Sequence, residues 1–296
     1  MNSSPLLKNL PFLILPPLFW AGNFVVGKVL HDSIPPFSLA FIRWVLACLV
    51  LLPFAWRFVV RDWALYRQNG QRIVATALFG VAAFNTLIYK GLHDTTTTNA
   101  LLLNSCIPVL IILFGGLFYG QKWQKAQIIG LCVSLVGVLA IVLQGDWARL
   151  AILSFNSGDL WVFSAMVCWA FYTLWTKGLP AQINKLGLMC VQMCLAIIVL
   201  LPLFLWEYFG GQQMVFNEKS LLGLAYIGIF PSVVAYLLYS FAVAKVGAVK
   251  AGLSIHLMPV FGVMLSVGLL GEIFQIYHAL GIALIATGLV LCHRAA

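Results

Sequence analysis

Acid is what this chain has least of. Only eight Asp and Glu residues stand among 296, against 17 Lys and Arg, and none of the eight falls near the middle of an apolar run. Paired carboxylates for acid–base chemistry at membrane depth are therefore missing. A dedicated carrier of cations would also want a buried acid. His256 is left as the one mid-run group that titrates near neutral pH, so gradient-driven facilitated movement is expected over tight proton coupling. Long polar stretches are absent too, so a non-transporting sensor or scaffold, which normally carries soluble domains, is not the expected reading. His-Glu-x-x-His, Gly-x-Ser-x-Gly and the P-loop do not occur, so an enzyme is not expected and no cofactor is implied. Cysteine is present seven times, always inside apolar runs. An odd number so placed, without a Cys/His ligand spacing, reads as apolar filler and not as disulfides or a metal site.

What the chain has in excess is apolar surface: 62% of residues are hydrophobic, 8% are charged, and the mean hydropathy is +1.02. Runs long enough to cross about 30 Å of hydrocarbon recur at 10–30, 37–56, 73–92, 98–119, 126–144, 158–176, 186–206, 220–243, 248–270 and 274–292. Numbering them in order puts Lys8, Arg57, Arg61, Arg67, Arg72, Lys122, Lys125, Lys177, Lys185, Lys245, Lys250 and Arg294 on the side of the N-terminus. Lys28, Lys90, Arg149 and Lys219 fall on the other side. By the positive-inside rule both termini are cytoplasmic, and the basic balance reports topology, not a nucleic-acid partner. Trp56, Trp63, Trp123, Trp147, Trp161, Trp175 and Trp206, near run ends, fit interfacial belts.

The chain repeats itself. At an offset of 149, Trp20, Ala21 and Lys28 match Trp169, Ala170 and Lys177; at 151, Pro108, Gly120, Gly130 and Gly137 match Pro259, Gly271, Gly281 and Gly288. Five spans per copy is odd, so the second copy enters the membrane from the opposite side. The fold class read from this is an all-α membrane protein of ten transmembrane helices in a 5+5 inverted-topology repeat. Its expected divisions are a cytoplasmic N-terminus (1–9), a first repeat (10–144), an extracytoplasmic linker (145–157), a second repeat (158–292) and a cytoplasmic C-terminus (293–296). Such repeats are typical of secondary transporters with a site near the midplane.

Trp20-Ala-x-Asn-Phe, Phe41-Ile-Arg-Trp44, Tyr89-Lys-Gly-Leu before Thr-Thr-Thr-Asn-Ala100, the fourth- and ninth-run prolines, and Leu270-Gly-Glu272 before Leu280-Gly-Ile-Ala-Leu-Ile-Ala-Thr-Gly288 resemble the EamA branch of the drug/metabolite transporter superfamily. The resemblance extends from about residue 10 to 292, and includes exporters of the YddG type. It implies export of amino acids or other small metabolites, in a bacterial inner membrane. Gln121 departs from it, standing where the family often has an acid after the glycine; Glu272 keeps that acid in the second copy.

Polar groups at mid-span face a bundle interior or a wet cavity. Trp20 and Asn23 share a helical face, as do Trp169 and Tyr172, and Asn85 and Tyr89. Tyr236 and Tyr239 continue the stripe in the eighth run; Asn104 and Ser105 precede Pro108, and His256, the repeat partner of Ser105, precedes Pro259. These residues, with Arg43, are the candidate substrate-binding set, although each also has a packing or hydrogen-bonding use. Gly130, Gly137, Gly281 and Gly288 read instead as close-packing positions. Aromatic walls with scattered amides and one deep cation suit a neutral, zwitterionic or aromatic solute, with amino acids leading. A lipid or lipid-linked sugar translocase is the alternative, ahead of a drug or organic-cation effluxer. Expected partners are the small-molecule substrate and membrane lipid, with a homodimer left open.

Overall fold

The computed structural model describes residues 5–30, 33–95, 97–152, 156–270 and 273–294. The backbone is helical nearly throughout: α1 (Pro5–Leu30), α2 (Pro36–Arg61), α3 (Gly70–Asp94), α4 (Asn99–Tyr119), α5 (Lys125–Val142), α6 (Ser157–Lys177), α7 (Lys185–Phe209), α8 (Glu218–Val246), α9 (Ala248–Leu265) and α10 (Ile276–Arg294). Among the described residues, eight helices are long and apolar enough to cross a membrane; α6 and the shorter α10 complete the bundle. No strand occurs among the described residues. Lipid has to cover the outside, because Leu49, Phe54, Ile198 and Leu222 are each more than 60% exposed and water would penalise so much apolar surface. Trp56, Trp63, Trp123, Trp147, Trp161 and Trp206 are likewise exposed, and Trp175 is half-buried, its Nε1 donating to Tyr119 Oη.

Residues matched by the repeat touch one another. Trp20 and Trp169 meet edge to face at 5.0 Å, Asn85 Nδ2 donates to Tyr236 Oη at 2.8 Å, and the His256 ring nitrogen Nε2 lies 3.1 Å from the Ser105 carbonyl. Three pairs of repeat-matched residues thus meet inside the bundle. On the flank, α5 and α10 pack antiparallel through their glycines. A Cβ built on Gly130 would lie 2.6 Å from the Gly288 carbonyl oxygen, and one on Gly137 would lie 2.7 Å from that of Gly281. Only hydrogen fits between these backbones.

α3 and α8 each contain a π-helical turn at corresponding places, Ala77–Ala83 and Phe230–Val234. In α8 the cause is Pro231, which lacks the N–H that the Ile227 carbonyl would accept; Ser232 Oγ donates to that carbonyl instead, at 2.7 Å. In α3 the matching residue is Gly80, packed under the Tyr172 ring, whose Cδ2 a Cβ would meet at 2.1 Å. Glycine there admits the ring and costs helix stability.

The few acids tie the halves together at helix ends. Glu207 at the end of α7 accepts from Phe37 N (3.1 Å), Ser38 N (2.7 Å) and Ser38 Oγ (2.8 Å), capping α2 from across the molecule. Asp159 accepts from Asn99 Nδ2 at 3.1 Å and from the Thr95 hydroxyl. Asp62, just beyond α2, accepts from Asn184 N at 2.8 Å beside Arg61 at 2.7 Å. The Arg61 guanidinium, helped by the Asn184 N–H, holds the Asp62 carboxyl below the usual carboxylate range. A depressed pKa contributes stability above the unfolded value, near 4, that is lost as pH falls through the folded one. Asp62→Asn is therefore expected to lower stability by about 1 kcal/mol at neutral pH, with the difference from wild type shrinking below about pH 4. Melting curves across pH check this. Glu272 lies outside the described residues.

Candidate functional site

A small cavity lies beside the Trp20–Trp169 pair, lined by Trp20 and Asn23 of α1, Asn85 of α3, Asn104 of α4, Trp169 of α6 and Met258 of α9. Its volume is about 20 Å³, room for about one water molecule. Five sequence candidates, Trp20, Asn23, Asn85, Asn104 and Trp169, therefore face it. Apolar walls from Phe24, Phe84, Ile88, Ile107 and Ile255 complete it; sequence reading missed these, since an apolar residue in an apolar helix carries no mark.

The wall is held from behind by Arg43, which is fully buried. Its Nε donates to Ser232 Oγ at 2.9 Å, and its Nη1 to Asn85 Oδ1 at 2.8 Å, to Tyr89 Oη at 2.5 Å and, at a longer 3.4 Å, to Asn23 Oδ1. Nη2 has no hydrogen-bond partner. Among the described residues no carboxylate pairs with this guanidinium, which is covered only by the faces of Trp44 and Tyr89, at 5.0 and 5.7 Å. A buried cation without a counter-ion is costly. The repeat partner of Arg43 is Gln192, whose Nε2 donates to Thr76 Oγ1 at 2.7 Å. Only one half carries the charge.

The π turns supply the acceptors. Tyr236 Oη donates to the Gly80 carbonyl at 2.7 Å and Trp20 Nε1 to the Pro231 carbonyl at 3.1 Å. Each half thus offers its π turn to an aromatic side chain of the other. Tyr236→Phe would leave the Gly80 carbonyl and the Asn85 amide short of partners, and should cost about 1–3 kcal/mol. Tyr66→Phe is the control, because the buried Tyr66 hydroxyl has no partner to lose; thermal melts should show the first falling and the second unchanged.

Tyr172, Tyr239 and Tyr236 ring the Trp169 indole at 5.1, 5.2 and 5.2 Å. Tyr172 and Tyr239 are behind the cavity wall, and Tyr239 shares a 3.0 Å hydrogen bond with Thr173. Ser105 and His256 lie off the cavity. Ser105 Oγ donates to its own helix at Leu101 O, while His256 Nδ1 is 2.7 Å from Ser134 Oγ, so both imidazole nitrogens are engaged within the protein. Toward the N-terminal end of α2, Tyr89, Leu92, Leu39 and His93 line a second small cavity. Beyond it a vestibule of about 510 Å³ opens among Phe37, Lys90, His93, Trp206 and Glu207.

Comparison with known proteins agrees with this architecture. The model of the EamA-like transporter family matches twice, over residues 7–143 and 156–293. The chain is 28% identical over 268 residues to the "Uncharacterized transporter YetK" of Bacillus subtilis (strain 168), covering 90% of this chain and 81% of that protein. It is 26% identical over 285 residues to a "Probable terminal-alkyne amino-acid exporter" of Streptantibioticus cattleyicolor, covering 95% and 92%. A solved crystal structure superposes at a TM-score of 0.75 with 19% identity, over 96% of either chain, and shares the fold. With the two family matches spanning nearly its whole length, the chain belongs to the EamA-like transporter family.

Proposed function

We propose that this transporter exports amino acids, neutral or aromatic, by alternating access between two inverted five-helix halves that make ten spans in all. The observation that carries the substrate class is Arg43: a buried guanidinium with one nitrogen unpartnered and, among the described residues, no acid beside it. A substrate carboxylate supplies the missing counter-charge through a charge-assisted hydrogen bond from Nη2. Trp20, Trp169 and Phe84 then offer faces and edges to the side chain, and Asn23 and Asn104 orient the amino group. The relative named as an amino-acid exporter supports the same class.

A cavity of about 20 Å³ is too small for an amino acid, so this conformation is occluded. Opening toward the vestibule brings Tyr89 away from Arg43 and joins the cavities in series. With cytoplasmic termini, as the positive-inside distribution suggests, that vestibule faces the outside of the cell.

The test is efflux from proteoliposomes loaded with single labelled amino acids and with the matching decarboxylated amines. Amino acids are expected to leave and amines to stay. Protein that binds lipid-linked sugar and moves no amino acid would overturn the reading in favour of a lipid translocase.

A further inference from the structure

Three of the seven cysteines converge on one spot. Cys48 comes from the middle of α2, and Cys190 and Cys194, one helical turn apart on α7, face it. The three Sγ atoms lie within 4.8 Å of one another, with Cys48 and Cys194 at 3.7 Å. Cys190 and Cys194 form a C-x3-C pair in sequence, but Cys48 belongs to the other copy, so spacing along the chain does not show the third member. α2 and α7 occupy the same place in the two copies, so the cluster bridges the halves at mid-membrane depth.

Three thiolate sulfurs held about 2.3 Å from a central ion in a plane stand about 4 Å apart. The observed separations need only a small adjustment to reach this. A tetrahedral zinc ion would want a fourth donor, whereas the group holds three. Soft thiolates select soft ions. We propose that Cys48, Cys190 and Cys194 form a trigonal site for a soft, thiophilic metal ion of the Ag(I), Cu(I) or Hg(II) class.

The binding step balances in charge. A monovalent ion replaces one thiol proton, forming one metal–thiolate bond and releasing one proton to water, while the other two sulfurs donate as thiols. A divalent ion releases two protons. Either way the complex is neutral, as a low-dielectric surrounding demands. Cys194 is exposed on the lipid-facing side, which opens the site to neutral metal complexes dissolved in the bilayer. The bound ion ties α2 to α7 and so one half to the other.

The experiment uses the full chain in detergent micelles, silver nitrate as the probe and excess reduced glutathione as competitor. Lone protein thiols lose silver to glutathione, whereas three thiols at high effective concentration keep it. After desalting, elemental analysis should find about one silver ion per chain in wild type and in Cys132→Ala, whose thiol is exposed elsewhere. Cys194→Ala and Cys48→Ala should retain at least about tenfold less, the affinity loss of a missing ligand. Cys194→Ala, on the exposed face, carries the test if Cys48→Ala fails to fold. Wild type that keeps no silver over glutathione, or equal retention by Cys194→Ala and Cys132→Ala, would overturn the site.

Discussion

The Arg43→Lys protein is expected to fold and to export amino acids at about a hundredth of the wild-type rate, a loss of about 3 kcal/mol. Lysine keeps the charge but not the planar fork. Arg43 spends Nε on Ser232 and Nη1 on Asn85, Tyr89 and Asn23, and still presents Nη2. An ammonium has three donors on one atom and cannot hold α1, α3 and α8 while offering an edge to a carboxylate. Substrate-dependent thermal stabilisation separates binding from scaffolding, because only a ligand-binding group changes how much a ligand raises the melting point. In wild type, amino acids should stabilise the protein and their amides should not. In Arg43→Lys the distinction should vanish. If amides and acids stabilise wild type equally, Arg43 serves the scaffold alone.

Gly137→Ala should be strongly damaging for a change of one methyl group. The added Cβ would sit 2.7 Å from the Gly281 carbonyl oxygen, 2.9 Å from Ile285 N and 2.9 Å from Leu284 Cβ. Two of these atoms are backbone in a helix, which has no rotamer to change. α5 and α10 would have to part along their length, losing the close packing that substitutes for hydrophobic driving force between membrane helices. A cost of about 3 kcal/mol is expected, at the upper end for overpacking. Gly262→Ala in α9 provides the contrast, since nothing lies within 4 Å of its Cβ position. There alanine's helix preference should add about 0.5–1 kcal/mol of stability. Monodisperse yield and melting temperature should fall for the first and hold or rise for the second.

Much of this site was written in residue types that are expensive in lipid. Trp20, Asn23, Asn85, Asn104 and Trp169 were legible because polar or amphipathic side chains at mid-span need a reason, and the repeat doubled the signal at tryptophan. The glycine pairs of α5 and α10 were legible because small residues recur at matched positions in both copies. Arg43 was visible as a deep charge, but its partners come from three other helices, and no spacing within α2 encodes them. His256 shows the opposite difficulty. Its place three residues before Pro259 set it on the stripe of α9, yet the 3-10 stretch Ser254–His256 winds more tightly than an α-helix. That turns the imidazole toward Ser134 and Ser105 and away from the cavity. The cysteine cluster was hidden because α2 and α7 are far apart in sequence.

The paired π turns carry a consequence for how length variation is tolerated. A π turn winds one more residue than an α turn, and each α residue turns the helix by about 100°. Deleting one residue from Ala77–Ala83 would let that turn close as a plain α turn, because the π turn already absorbs one extra residue, and the helix on either side would keep its phase. Asn85 and Tyr89 would still point at Arg43, and Thr76 at Gln192. The turn in α8 gives the same slack ahead of Tyr236. A residue lost elsewhere in α3 or α8 would instead rotate everything beyond it by about 100°, so the two π turns are the places in these helices where a one-residue change in length leaves the aim of the side chains intact.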